Sequence, residues 1–151
     1  MRAQLNEALK ESLRAKDVMT LRTVRLILAA IKDRDIAARG QGNADGIGDA
    51  EIRELLQKMV RQREESSRYY EEAGRLDSVD EEKREIAVIQ GFLPAKLDPD
   101  AQIAAVNAVV GDLGASGMRD MGRVMAELKR RYAGQMDFGE ISRTVKAALA
   151  A

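Results

Sequence analysis

The stretch that decides the fold is Asp120-Met-Gly-Arg-Val-Met-Ala-Glu-Leu-Lys129 and, after a short Gly134-Gln-Met136 turn, Asp137-Phe-Gly-Glu-Ile-Ser-Arg-Thr-Val-Lys-Ala-Ala-Leu149. Met121, Val124, Met125 and Leu128 recur at helical spacing in the first segment; Ile141, Val145 and Leu149 do so in the second. Each set makes one apolar stripe, so both segments read as amphipathic helices. Asp120 reads as the cap of the first, and Asp137 with Glu140 as a capping box for the second. Gly122 lies inside the first helix, where glycine costs about 1 kcal/mol relative to alanine. It therefore asks for close helix packing or for a ligand at the backbone.

Working outward, Asp98-Pro99 reads as an N-cap followed by proline at the first helical position. Ile103, Val106, Val109, Val110 and Leu113 form the stripe of that helix, and Gly114 can end it. Upstream, Pro94 to Leu97 is the best domain boundary. The first helix is marked by Leu5, Ala8, Leu9 and Leu13, and a second runs from about Thr20 to Arg39 with Leu21, Val24, Leu28 and Ile31 on one face. Gly40 to Gly48 holds four glycines and reads as a flexible loop. It lacks both the Lys-Ser/Thr ending of a phosphate loop and the carboxylate spacing of a calcium loop. Asp49 can cap a third helix carrying Ile52, Leu55, Leu56, Met59 and Val60 and ending near Gly74. Ser78 and Glu81 form a capping box for a fourth through Ile86, Ile89 and Leu93. The expected fold is all-α: an N-terminal four-helix domain over 1–94 and a C-terminal three-helix module over 95–151.

Composition narrows the chemistry. The chain has no Cys and no His, which removes disulfides, thiol nucleophiles, the common zinc sites and Ser-His or Cys-His pairs. No apolar run approaches the roughly 20 residues that span a bilayer, so the expectation is a cytoplasmic protein without a membrane partner. Lys plus Arg and Asp plus Glu are each 25. Nucleic-acid binding by bulk charge would need a basic excess, so any such binding must come from a local patch.

Four ordered stretches carry a resemblance: Leu21-Arg-Thr-Val-Arg-Leu-Ile-Leu-Ala-Ala-Ile-Lys32; Gln57-Lys-Met-Val-Arg-Gln-Arg-Glu-Glu-Ser66 with Tyr70-Glu-Glu-Ala-Gly-Arg75; Glu85 to Leu97 with Gly91-Phe-Leu-Pro94; and Asp120-Met-Gly-Arg-Val-Met125. Together they resemble the YqeY-like proteins of the GatB/YqeY family over essentially the whole chain. The family's C-terminal module is similar to the tail domain of the B subunit of aspartyl/glutamyl-tRNA amidotransferase, which touches the tRNA body while the chemistry lies elsewhere. The resemblance thus implies a tRNA-contacting module without its catalytic partner, or a protein associated with tRNA-dependent amidation. It also implies the family's label of glutamine-dependent carbon–nitrogen ligases, an association rather than a mechanism. Gln135 departs from the family's tendency to a basic residue after the glycine, which weakens one expected phosphate contact.

The residues expected to meet RNA are Gly122, Arg123, Lys129, Arg130 and Arg131, with Arg143 and Lys146 on the last helix. Arg and Lys suit phosphate by charge, and Arg adds bidentate geometry. For Gly122 the two readings, tight packing and close RNA approach, stand side by side. Met118, Met121, Met125 and Met136 are expected to fill the core, and Tyr69, Tyr70 and Tyr132 to serve at structural interfaces. No catalytic residue, metal or cofactor is expected. Ser66, Ser67, Glu64 and Glu65, beside Lys58 and Arg63, fit an amphipathic helix with no special role. The runner-up is a protein-interaction adaptor using the charged third helix and the methionine-rich tail.

Overall fold

A computed structural model describes residues 1–150. Its elements are α1 (Arg2–Ala15), α2 (Val18–Gly40), α3 (Asp49–Glu72), α4 (Leu76–Gln90), α5 (Pro99–Leu113), a single 3-10 turn (Met118–Asp120), α6 (Met121–Tyr132) and α7 (Phe138–Ala150). No strand occurs among the described residues, and no helix there is long and apolar enough to cross a membrane. The chain divides into two compact units, Met1–Pro94 and Ala95–Ala151, each with its own apolar core.

In the first unit, Leu5, Ile27, Ile52, Leu56 and Ile89 are fully buried and draw α1 to α4 onto one core. The stripe of α1 is rotated from the sequence expectation: Leu13 is exposed and Ser12 is buried in its place. The Ser12 hydroxyl is satisfied by donating to the Leu9 carbonyl, which makes its burial tolerable. Asp17 caps α2 by accepting from the Thr20 N–H, so that helix starts at Val18 rather than at Thr20.

The glycine-rich loop is tied down rather than free. Ile47 is buried in the core, its N–H donates to Asp35 Oδ1 at 2.9 Å, and Asn43 Nδ2 donates to the Gly46 carbonyl. Arg2 holds Asp35 with two guanidinium nitrogens at 2.8 Å and also donates to the Ile47 carbonyl. Arg2 and the Ile47 N–H hold the Asp35 carboxyl down at about 2. Gly46, at φ +81°, brings its backbone so near Asp35 that a Cβ would collide with the carboxylate. That approach is why glycine stands there.

Three expected caps are not formed. Gly48 rather than Asp49 takes the N-cap of α3, and Asp49 faces the N-terminal amine at 3.6 Å. The helix α4 starts at Leu76 with no side-chain cap, and Glu81 pairs with Arg22 instead of closing a box with Ser78. The Asp120 carboxylate accepts from the Ser116 N–H and pairs with Arg123, so a 3-10 turn leads into α6. In each case another partner takes the carboxylate that local pattern assigned to a cap.

The second unit follows its sequence more closely. Asp98 Oδ1 accepts from the Ala101 N–H at 2.7 Å, Pro99 opens α5, and Gly114 ends it in the left-handed conformation. Val106, Val109, Val124, Leu128, Met136 and Val145 are fully buried. Ile103 is the exception: it is exposed, and Ala105 fills the stripe instead. Gly134, at φ +85°, makes the turn that lets the Gln135 carbonyl accept from the Leu97 N–H at 2.9 Å. Asp137 Oδ1 caps α7 by accepting from the Gly139 and Glu140 N–H groups.

Candidate functional site

The seven residues singled out in the sequence fall on the outer surfaces of α6 and α7. Arg123 and Arg130 lie two turns apart on α6, opposite the buried Val124 and Leu128, and Gly122 and Lys129 repeat the same spacing on its flank. Arg143 and Lys146 lie one turn apart on the outer face of α7, away from Ile141, Val145 and Leu149.

Their electrostatic situations differ. Arg123 pairs with Asp120 at 3.1 Å. Glu127 accepts from both Arg130 and Arg131 at 2.6 Å, and Arg131 reaches Asp112 on α5 at 2.7 Å. The two guanidiniums hold the Glu127 carboxyl down at about 2, so it is ionised throughout the neutral range. Asp120 is likewise held below the usual carboxylate range, first by the Ser116 N–H and then by Arg123. Lys129, Arg143 and Lys146 are exposed and make no ion pair with the described residues. Arg119, in the 3-10 turn, is a further exposed cation that periodicity did not single out.

Of the two readings of Gly122, packing is overturned. The residue is exposed, and a Cβ added there would meet nothing within 4 Å. Gly122→Ala should therefore raise the stability of the unit, by up to about 1 kcal/mol, through reduced chain entropy. Urea unfolding followed by circular dichroism checks this, and a loss of stability would show a packing role after all.

The methionines divide. Met136 is fully buried, Met121 and Met125 pack partly buried on the core, and Met118 is half exposed. Tyr132 packs on the same core, Tyr69 is exposed, and Tyr70 lies under the Arg75 guanidinium with 5.4 Å to the ring centroid. Ser67 is buried and Arg63 is committed to an ion pair.

A second polar constellation, in the first unit, was not anticipated. Glu85 on α4 is buried between two arginines: Arg63 of α3 donates to Oε2 and Arg22 of α2 to Oε1, both at 2.9 Å. Arg22 also pairs with Glu81. Burial pushes the neighbouring Glu82 carboxyl up, with the Glu85 charge adding to it. One residue comes from each of the first three stretches quoted above, so these stretches meet in space at an ion-pair cluster that locks α2, α3 and α4. The signal was present: Arg63 lies one turn after Met59 and Glu85 one turn before Ile89, so both charges fall on apolar stripes.

The profile of the family described as Yqey-like protein matches residues 2–149. Among curated proteins, the chain is similar to altered inheritance of mitochondria protein 41, mitochondrial, of Lachancea thermotolerans. It is 31% identical over 111 residues, covering 74% of this chain and 56% of that protein. The protein of the same name from Eremothecium gossypii is 31% identical over 106 residues, covering 70% of this chain and 56% of its own length. The chain spans a little over half the length of these curated relatives.

Proposed function

The chain belongs to the YqeY-like protein family, and on that footing we propose that it is a noncatalytic helical protein whose C-terminal unit contacts tRNA. The observation that carries the reading is the set of exposed cations that pair with no described residue, Lys129, Arg143 and Lys146, on the outer faces of α6 and α7. Arg123 and Arg130 join them, because their carboxylate partners are i, i+3 neighbours at the surface and exposed pairs contribute little net stability. A phosphate can compete for such guanidiniums. The likeness of Asp120 to Met125 to the amidotransferase tail makes tRNA the proposed ligand, and a protein partner in tRNA-dependent amidation fits the same likeness. Glutamine-dependent ligation stays with the family label, and no residue is assigned to it. A cytoplasmic location belongs to the proposal, and cell fractionation tests it.

Each cation that meets a phosphate releases about one counterion, so its loss lowers the salt dependence of binding. Replacing Lys129, Arg143 and Lys146 together by alanine should reduce the slope of log affinity against log salt by about 2 to 3. Filter binding with tRNA at several salt concentrations reads this slope. An unchanged slope would place the contact elsewhere. Gly122→Leu adds a specific check: it should weaken tRNA binding without destabilising the unit if the RNA backbone approaches that position.

A further inference from the structure

The first unit carries a groove that the C-terminal basic residues do not explain. It is an open hollow of about 420 Å³ between α2 and α3, in which Leu26, Ala30, Leu55 and Met59 are rimmed by Asp33, Arg34, Lys58, Gln62 and Arg63. Arg34 and Lys58 stand at its rim and make no ion pair with any described residue. Leu26 is 45% exposed and is shared with a second hollow of about 280 Å³ lined by Val18, Leu21 and Arg25. Val18 is 73% exposed. The two hollows run along α2 from Val18 to Arg34, a length of about 24 Å at 1.5 Å per residue.

We propose that this groove docks an amphipathic helix of a partner protein, one that lays an apolar stripe on Leu26 and Val18 and offers acidic residues to Arg25, Arg34 and Lys58. The span of the two hollows along α2 sets the occupant at about four turns, with anchors at i, i+3, i+4 and i+7. Charge complementarity sets its sign. Arg25, Arg34 and Lys58 face only Asp33 among the acidic residues of the two linings, so the surface is left cationic. The apolar hollow beside Val18, Leu21 and Leu26, and the absence of any aromatic residue from either lining, favour a protein helix over a nucleic acid, whose bases would need stacking platforms. The inference is independent of the tRNA reading, which rests on the other unit.

The test uses the full chain and a fluorescent 18-residue peptide with leucines at i, i+3, i+4 and i+7 and glutamates flanking them. Anisotropy should show saturable binding at micromolar peptide. Leu26→Asp and the double variant Arg34→Glu/Lys58→Glu should each weaken it at least about tenfold, a loss of about 1.4 kcal/mol. All three side chains are at the surface, and unchanged circular-dichroism melting of the variants confirms that the fold is kept. No saturable binding, or equal binding of a scrambled peptide of the same composition, overturns the proposal. So does tRNA displacing the peptide from the wild type with an affinity that Leu26→Asp leaves unchanged. A dimer of the chain alone that Leu26→Asp dissociates also overturns it, by making a second copy the occupant.

Discussion

Truncating Leu128 to alanine is expected to remove about 3 kcal/mol from the stability of the C-terminal unit, a third or more of the whole, while the helices α1 to α4 keep their amide protection. Leu128 is fully buried among Val106, Val109, Val124, Met136 and Val145, with no exposed edge through which water could fill the space left behind. A Leu→Ala change at such a site costs about 3 kcal/mol, the lost transfer energy plus the cavity. A unit of this size holds only about 3 to 8 kcal/mol in total, and the chain has no cysteine with which to staple it. Native-state hydrogen exchange should show α5, α6 and α7 losing protection together. Leu128→Met, which keeps the volume, should cost less than about 1.5 kcal/mol and leave the exchange pattern as it was. Full protection of α5 to α7 in Leu128→Ala would mean that these helices are held by something other than their own core.

Glu85→Ala is expected to destabilise the first unit by about 3 kcal/mol, because it strands the Arg63 guanidinium in a buried site. The Arg63 side chain is 14% exposed and that of Glu85 11%, so neither charge is well solvated when left alone. Arg22, at 48%, can turn to water or stay with Glu81, and it contributes the smaller share. Replacing Arg63 and Glu85 together by leucine should recover most of the loss, since removing both charges leaves no unpaired ion. A double-mutant cycle in urea separates these contributions. Equal losses for the single and double variants would show that the helices, rather than the ion pair, are what Glu85 supports.

These two sites mark what a linear reading reaches and what it does not. The helices α5 and α7 were legible because each is bounded by local chemistry: Asp98 with Pro99 and Gly114 in its left-handed turn for α5, Asp137 at the start of α7. Buried stripes such as Val106 to Val109 follow directly from spacing. Periodicity misplaced Leu13 and Ile103, because an apolar residue at the edge of a stripe can face water once neighbouring helices fix the rotation. The capping expectations at Asp49, Ser78 and Asp120 failed for a shared reason. A carboxylate or hydroxyl near a helix start has several possible partners, and tertiary structure supplied competing ones, such as Arg22 for Glu81 and the Ser116 N–H for Asp120.

The ion-pair cluster at Glu85 and the Asp35 clasp on Ile47 lay outside the linear reading because each joins segments far apart in the chain. Even so, Asp35 continues the stripe of Ile27 and Ile31, and a charge on an apolar stripe is the mark of a buried polar contact. For the C-terminal basic face, the sequence named the cations correctly as surface residues. It could not say that Glu127 would offset two of them and leave Lys129, Arg143 and Lys146 without an ion pair among the described residues. That distinction depends on rotamers and on the approach of Asp112 from α5.

The claim that the C-terminal unit contacts tRNA is tested most directly by titrating total tRNA into the full chain by gel shift or calorimetry, first at low salt and then at rising salt. The account predicts saturable binding at micromolar tRNA that weakens steadily as salt rises, and that Lys129, Arg143 and Lys146 together to alanine reduce further. No binding at micromolar tRNA even in low salt would contradict it.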